Sequence, residues 1–292
     1  MSSRITVGLD GSDADLASVD WAAEEAELRG SDLELLHVED WPEYAPFAAP
    51  LPESRRRWTE DLLAGARERL AREHPALAIS TRRIDGVAVS DGLASAAADA
   101  ELLVLGSRRL GPIAGFFVGS TGSDTIPRTA APVVLVRTAA SSAHTAGQAG
   151  DGGPVVLGVD LRSNCDRLFA FACEEAQRRS RPLVVIHGWS PPPMLSYAPA
   201  LDPGVEEEIA DGLVATLRGL LDPWRLKYPR LDVDSRAVIG SPAVQILEAA
   251  SGAALVVVGR RIRRSALGAH IGPITHAVMH HATAPVAVVA HA

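Results

Sequence analysis

The sequence has few cysteines, no long apolar run and no excess of positive charge, and each shortage removes a class of protein. No apolar run in its 292 residues approaches the roughly 20 needed to span a bilayer. The formal net charge is -8, which argues against a general nucleic-acid binder, since these are usually basic. The two cysteines, Cys165 and Cys173, stand eight apart on one predicted helix. That spacing gives neither a disulfide nor a metal clamp, so both are read as reduced packing residues. The opening MSSRITVGLDGS enters a strand-like run at once, with no n-region, h-region and cleavage site, and a cytoplasmic location is expected. Three signatures are missing as well: G-x-x-x-x-G-K-[ST], G-x-G-x-x-G and the G-x-S-x-G elbow of hydrolases.

What remains is an ordinary globular composition, 47% apolar and 22% charged, at a length where one core gives way to two domains. An internal repeat makes the division concrete. ITVGLDGS (5–12) aligns with VVLGVDLR (155–162), so Asp10 matches Asp160. WAAEEAELRGSDLELLHV (21–38) aligns with FACEEAQRRSRPLVVIHG (171–188), with the Glu-Glu-Ala triplets and His37/His187 in step. LLVLGSRR (102–109) matches LVVVGRRI (255–262), and APVVLVR (131–137) matches APVAVVA (284–290). Two domains, 1–138 and 154–292, are therefore expected, joined by a small, polar, Gly-rich linker over 139–153.

Within each copy short β-branched apolar runs alternate with helical patterns. In the first the strands are ITVGL, LELLHV, AISTRRI, LLVLG and VVLVR, with helices near 16–29, 54–73, 89–98 and 120–130. Near-continuous apolar strands alternating with helices imply a parallel sheet covered on both faces. Right-handed crossovers make it a doubly wound sheet of five strands per copy, with ligands expected beyond the strands' carboxyl ends. Asp10, the end of LELLHV and Gly106 all lie at such ends and are expected to converge on one cleft.

The stretch GSRRLGPIAGFFVGSTG (106–122) carries the strongest chemical signal. Gly106 is expected to end the fourth strand, and Gly119-Ser120-Thr121 to open a helix whose unpaired N–H groups suit an anion. Arg108 and Arg109 add charge that can grip phosphate, and Asp10 can accept from a ribose hydroxyl. A plainer reading needs only that Gly106 turns the chain and Ser120 caps the helix. The residues alone leave both open.

Together, VGLDGS, WAAEEA, LLHV and APVVLVR, each with its counterpart in the second copy, resemble the universal stress protein family, and the likeness covers both copies almost end to end. The resemblance implies a Rossmann-like, adenine nucleotide alpha hydrolase-like fold. Nucleotide-binding members of that family carry G-x-x-G, nine residues, then G-[S/T]. Here Gly106 is followed by Arg109 where the second glycine belongs, then by Gly119-Ser120. By resemblance, ATP, with or without Mg²⁺, binds in the first copy: Asp10 on ribose, the Val38 backbone on adenine, and Gly106, Arg108, Arg109, Gly119, Ser120 and Thr121 around the phosphates. In the second copy Ile262 replaces the glycine and Pro273 the serine, and proline has no N–H for a phosphate. That copy is read as degenerate and structural. The arginines of GRRIRRS (259–265) can still attract an anion, though such a run commonly marks a solvated loop. The resemblance also implies that the last strands, VVLVR and VAVVA, mediate pairing of the copies as a pseudo-dimer, and a further homodimer.

Other motifs carry less. HIGP (270–273) lacks the final histidine of a HIGH signature and follows the fourth strand rather than the first. DGSDAD (10–15) does not match the S-G-G-x-D-S of pyrophosphatases. His276 and His280 are spaced i, i+4, but the sequence offers no obvious third ligand. His37 and His187 are read as hydrogen-bonded rim residues, and Trp21 and Phe171 as packing residues. The Pro-rich segments 39–52 and 189–205 are read as lids, partner contacts or plain surface loops. The expectation is a non-enzymatic, ATP-binding stress-response regulator. Its rival is an interaction scaffold with both clefts empty, and slow ATP hydrolysis is a third reading.

Overall fold

The computed structural model describes residues 3–40, 52–109, 116–117, 119–137, 152–190, 203–262 and 271–292. For residues 52, 108–109, 116–117 and 203–206 that description is limited to the backbone. The chain divides into two compact units, Met1–Ser142 and Ala143–Ala292. The expected linker, 139–153, lies almost wholly outside the described residues, as do most of the Pro-rich segments 39–52 and 189–205.

In the first unit the order is β1 (Arg4–Gly8), α1 (Ala14–Arg29), β2 (Asp32–Glu39), α2 (Pro52–Glu73), β3 (Ile79–Asp85), α3 (Val89–Ala98), β4 (Leu102–Arg109), β5 (Phe116–Phe117), α4 (Ser120–Thr125) and β6 (Val133–Arg137). The five long strands stand in the order β3-β2-β1-β4-β6, and every neighbouring pair is parallel. Chain order reverses between β1 and β4, so the crevice beyond those strand ends is where such a sheet accepts a ligand. The apolar runs supply the core: Ile5, Val7, Leu33, Leu35 and Leu102 to Val104 are wholly buried. Helix α1 turns Val19, Ala22, Ala23 and Ala26 inward, the spacing of one helical face. It packs beside α2, while α3 packs beside α4. β3 is half-exposed and carries Arg82 and Arg83, charge that blunts an edge strand against further pairing.

The second unit repeats this plan: β7 (Val155–Gly158), α5 (Asp166–Arg178), β8 (Leu183–Trp189), α6 (Pro203–Lys227), β9 (Val233–Ile239), α7 (Pro242–Ala249), β10 (Leu255–Arg261), α8 (Pro273–His281) and β11 (Val286–His291). Its strands run β9-β8-β7-β10-β11, again all parallel. The protein is thus two tandem doubly wound, five-stranded α/β domains. The Glu-Glu-Ala triplets keep one job in both: Glu25 and Glu175 are buried on the first helix, paired with Arg29 and with Arg178 and Arg179. Cys165 and Cys173 are both buried and free, with Cys165 at the N-cap of α5 rather than inside it.

Two details of the glycine stretch differ from the sequence reading. β4 does not end at Gly106; it runs on to Arg109, where Arg108 and Arg109 pair antiparallel with Phe117 and Phe116. Arg109 therefore sits in extended backbone, where a Cβ costs nothing, and not in a turn that demands glycine. Ser120 is not the cap of α4 either. Gly119 holds that position, at φ -51 and ψ 163, and no side chain caps the helix.

Gly106 has a different duty. A Cβ there would lie 2.9 Å from the Ala14 Cβ and 3.0 Å from the Ala14 carbonyl oxygen. Only glycine lets the first turn of α1 settle this close to β4. Gly106→Ala should therefore destabilise the protein by about 1–3 kcal/mol, read as a lower urea midpoint. An unchanged midpoint contradicts the close contact.

Candidate functional site

At the switch point of the first unit the strand ends enclose a cleft of about 370 Å³, within the usual range for a small-molecule site. Six of the residues singled out from sequence, Asp10, Val38, Gly106, Gly119, Ser120 and Thr121, line it. Arg108 and Arg109 are placed only by their backbone in β4, and their side chains lie outside the described residues. Leu9, Leu36, Leu93, Leu105 and Leu135 supply an apolar wall that sequence reading had not assigned to the site.

Each polar part has a local cause. The first intrahelical bond of α4 runs from the Ser123 N–H to the Gly119 carbonyl at 3.1 Å. The N–H groups of Ser120, Thr121 and Gly122 precede it and are free of intrahelical partners, which is the general condition of a helix start. With only six residues in α4, these amides rather than a macrodipole are what an anion meets there. Opposite them the turn from β1 to α1 presents Asp10. Gly11 takes φ +81 in that turn, and a Cβ on it would come within 2.4 Å of the Trp58 ring from α2. Trp58 in turn meets the His37 ring edge-on, with centroids 5.5 Å apart. His37 is buried, its Nδ1 lying 2.8 Å from the Leu9 carbonyl. Its ring is thereby fixed to the turn as a structural donor.

Sequence reading missed Asp15. It lines the cleft, is 8% exposed, and accepts the Gly11 N–H at 2.7 Å and the Asp10 N–H at 3.1 Å. Burial pushes its carboxyl up to about 6, with the Asp10 carboxyl pushing the same way and the two N–H groups opposing. The available signal was the third aspartate of DGSDAD, in the first turn of a helix, where an acidic side chain can reach back to preceding amides. Arg137 was missed too. It faces Ser107 across β4 and β6 and donates to its Oγ at 2.6 Å. Burial pulls the guanidinium down to about 10, so it stays charged at neutral pH, one residue beyond Gly106.

The second unit has a smaller cleft, about 230 Å³, at the same place in its sheet. Asp160 matches Asp10 in position and accepts from the Arg162 backbone and side chain, each at 3.1 Å, and from Arg261 at 3.2 Å. Burial works against the charged carboxylate, yet Arg162 and Arg261 outweigh it and hold Asp160 below its usual range. Pro273 is the first residue of α8, so one amide is absent. The Thr275 hydroxyl donates to the Gly259 carbonyl at 2.6 Å, and the His291 ring lies where a Cβ on Gly259 would be only 2.6 Å from its Nε2. At the far end Pro242 packs against Gly188, the counterpart of Val38, with 2.5 Å from its Cα to a notional Cβ. His187 repeats the His37 contact, with Nδ1 at 3.1 Å from the Val159 carbonyl.

The rings of His276 and His280 lie 4.3 Å apart. Among the described residues no group of three or more His, Cys, Asp or Glu side chains is placed to hold a metal. HIGP (270–273) and GRRIRRS (259–265) fall partly outside those residues. Among the described residues no helix is long and apolar enough to cross a membrane.

Comparison with known proteins agrees with this architecture. A universal stress protein of Mycolicibacterium smegmatis is 31% identical over 293 residues, covering 98% of this chain and 96% of its own. One from Mycobacterium tuberculosis is 32% identical, covering 97% and 95%. The crystal structure of a universal stress protein from Archaeoglobus fulgidus covers both chains completely at a TM-score of 0.70 and 16% identity, a likeness of fold. The model of the universal stress protein family matches twice, over residues 1–137 and 153–290, and the chain belongs to that family as a tandem, two-domain member.

Proposed function

We propose that the protein is a cytoplasmic, non-enzymatic stress-response regulator that binds ATP in the cleft of its first domain, with the second domain structural. The observation that carries this reading is the pairing of two polar ends across one cleft. Asp10 stands at one end as an acceptor for ribose hydroxyls, and the Ser120, Thr121 and Gly122 amides stand at the other as donors for phosphate. The leucine wall between them suits a purine face, and Val38 offers backbone groups to its edge. Backbone amides facing an anion need no special side chain, which is why the missing second glycine at Arg109 is tolerable. The charge of Arg108 and Arg109 and of buried Arg137 favours the same polyanion. Mg²⁺, where present, would travel with the phosphates.

The second cleft argues for the asymmetry. Asp160 accepts from two arginines, the amide row is short by one at Pro273, and Thr275, His291 and Pro242 close in on the backbone of Gly259 and Gly188. The competing scaffold reading, with both clefts empty, is separated from ours by ATP titration of the wild type and Gly119→Val. The Gly119 backbone, φ -51 and ψ 163, is open to any residue, so valine should leave the fold intact and crowd the phosphate end. We expect saturable binding by the wild type, weakened on the order of tenfold or more in the variant, about 1.4 kcal/mol at least. Absence of saturable binding favours the scaffold. ADP appearing in step with protein concentration marks the protein as a hydrolase instead. The homodimer expected by resemblance is checked by sedimentation of the full chain.

A further inference from the structure

We propose that the Ser12 hydroxyl is a second ribose contact in the first cleft, acting beside Asp10 to select nucleotides whose sugar carries a vicinal diol. This rests on the nucleotide reading above and deepens it, giving that site a sugar specificity.

The observation is a buried hydroxyl. Among the described residues, Ser12 Oγ is the one side-chain polar atom of the first cleft's lining that is buried without a hydrogen-bond partner. Ser12 as a whole is half-buried, so the oxygen is covered while the residue still borders the cleft. Its backbone is committed on both sides. The Ser12 N–H donates to Asp10 Oδ1 at 2.9 Å, a turn in which an aspartate side chain replaces a backbone acceptor. The Ser12 carbonyl accepts the Asp15 N–H at 3.0 Å. With the backbone pinned, the hydroxyl moves only by rotation between side-chain rotamers. A hydroxyl can donate one hydrogen bond and accept two. Leaving these unmade away from water is costly, and a group so placed calls for an explanation.

Ser12 borders two spaces, and only one suits it. On the far side from the cleft is a hollow between α1 and α2, walled by Leu9, Leu16, Val19, Leu62 and Ala66 together with Asp15 and Arg69. Arg69 is bound to Asp20 at 2.6 Å and Glu73 at 2.8 Å, and Asp15 accepts two amides of the turn. The rest of that wall is hydrocarbon. The cleft is the side on which a ligand can meet the hydroxyl. Ser12 lies two residues from Asp10 on one turn, opposite the α4 amides that serve phosphate in our reading. A carboxylate that accepts and a hydroxyl that donates or accepts, tied together by one hydrogen bond, match two adjacent hydroxyls of one sugar. A site built this way rejects an analogue that lacks them, because its own polar group is then left unpaired.

The second domain keeps the turn and changes the side chain. Arg162 stands in the place of Ser12, its N–H making the same bond to Asp160 Oδ1 and its guanidinium taking the same oxygen, each at 3.1 Å. That position offers the second cleft no hydroxyl.

The test is a double-mutant cycle between protein and sugar. ATP and 2′,3′-dideoxy-ATP are titrated calorimetrically into the full chain, as wild type and as Ser12→Ala, which removes one oxygen and keeps both backbone bonds. The substitution should weaken ATP by about fivefold to tenfold and the dideoxy analogue by less than about twofold. Undiminished ATP binding, or equal losses for the two nucleotides, overturns the proposal. Urea unfolding of the nucleotide-free proteins supplies a second arm. A hydroxyl without a protein partner contributes nothing to the fold, so the variant's midpoint should equal or exceed that of the wild type. A lower midpoint reveals a structural partner and overturns the proposal whether or not ATP binds. An unchanged midpoint with no binding of either nucleotide to the wild type refutes the nucleotide reading and, with it, the ribose contact.

Discussion

Everything at the candidate site depends on how closely the start of α1 sits against β4. The contact is backbone to side chain at its tightest point, Gly106 against Ala14, and it leaves no room for a Cβ. Because α1 follows β1 after a five-residue turn (9–13), that one approach also fixes Asp10 and Asp15. It delivers the acidic end of the cleft within reach of the amides that open α4. Close packing of this kind transmits small displacements, since interiors are dense and deform little. Trp58 over Gly11 and His37 on the Leu9 carbonyl clamp the same turn from the other side. The cleft is thus a by-product of packing that the fold needs anyway.

The two domains share one fold while the rims of their clefts differ. Both keep the buried glutamate on the first helix and the histidine at the end of the second strand, and these residues maintain the sheet and its turns. What differs lies at the rim. A proline replaces an N–H donor, an arginine pair occupies the aspartate, and a threonine hydroxyl spans to the glycine carbonyl. The arginines and the threonine satisfy polar groups inside the protein, and the proline removes one. Polar groups near the surface of a cleft are cheap to leave to water, but internal partners remove them from recognition.

Much of this was legible in the sequence because it is carried by periodicity and by the repeat. The β-branched runs marked every long strand of the first domain, the third helix matches 89–98 residue for residue, and the copies singled out Asp10 and Gly106 without any structure. The illegible part is where a local rule was overruled. Two arginines look like loop residues, but a two-residue strand, Phe116–Phe117, pairs with them and extends β4. Ser120 looks like a cap, but the chain enters α4 with Gly119 in that position. Asp15 carried no periodic signal, since its role depends on a turn that folds back on itself over five residues. The apolar wall of the cleft could not be told from ordinary core, because leucines from the β1–α1 turn, β2, α3, β4 and β6 meet there only in three dimensions.

The central claim is that one cleft, and only one, takes a nucleotide. Native mass spectrometry of the full chain with added ATP counts ligands directly. One nucleotide per chain is predicted, lost in Asp10→Ala and retained in Asp160→Ala. Two nucleotides per chain, none, or loss in the Asp160 variant alone would contradict it.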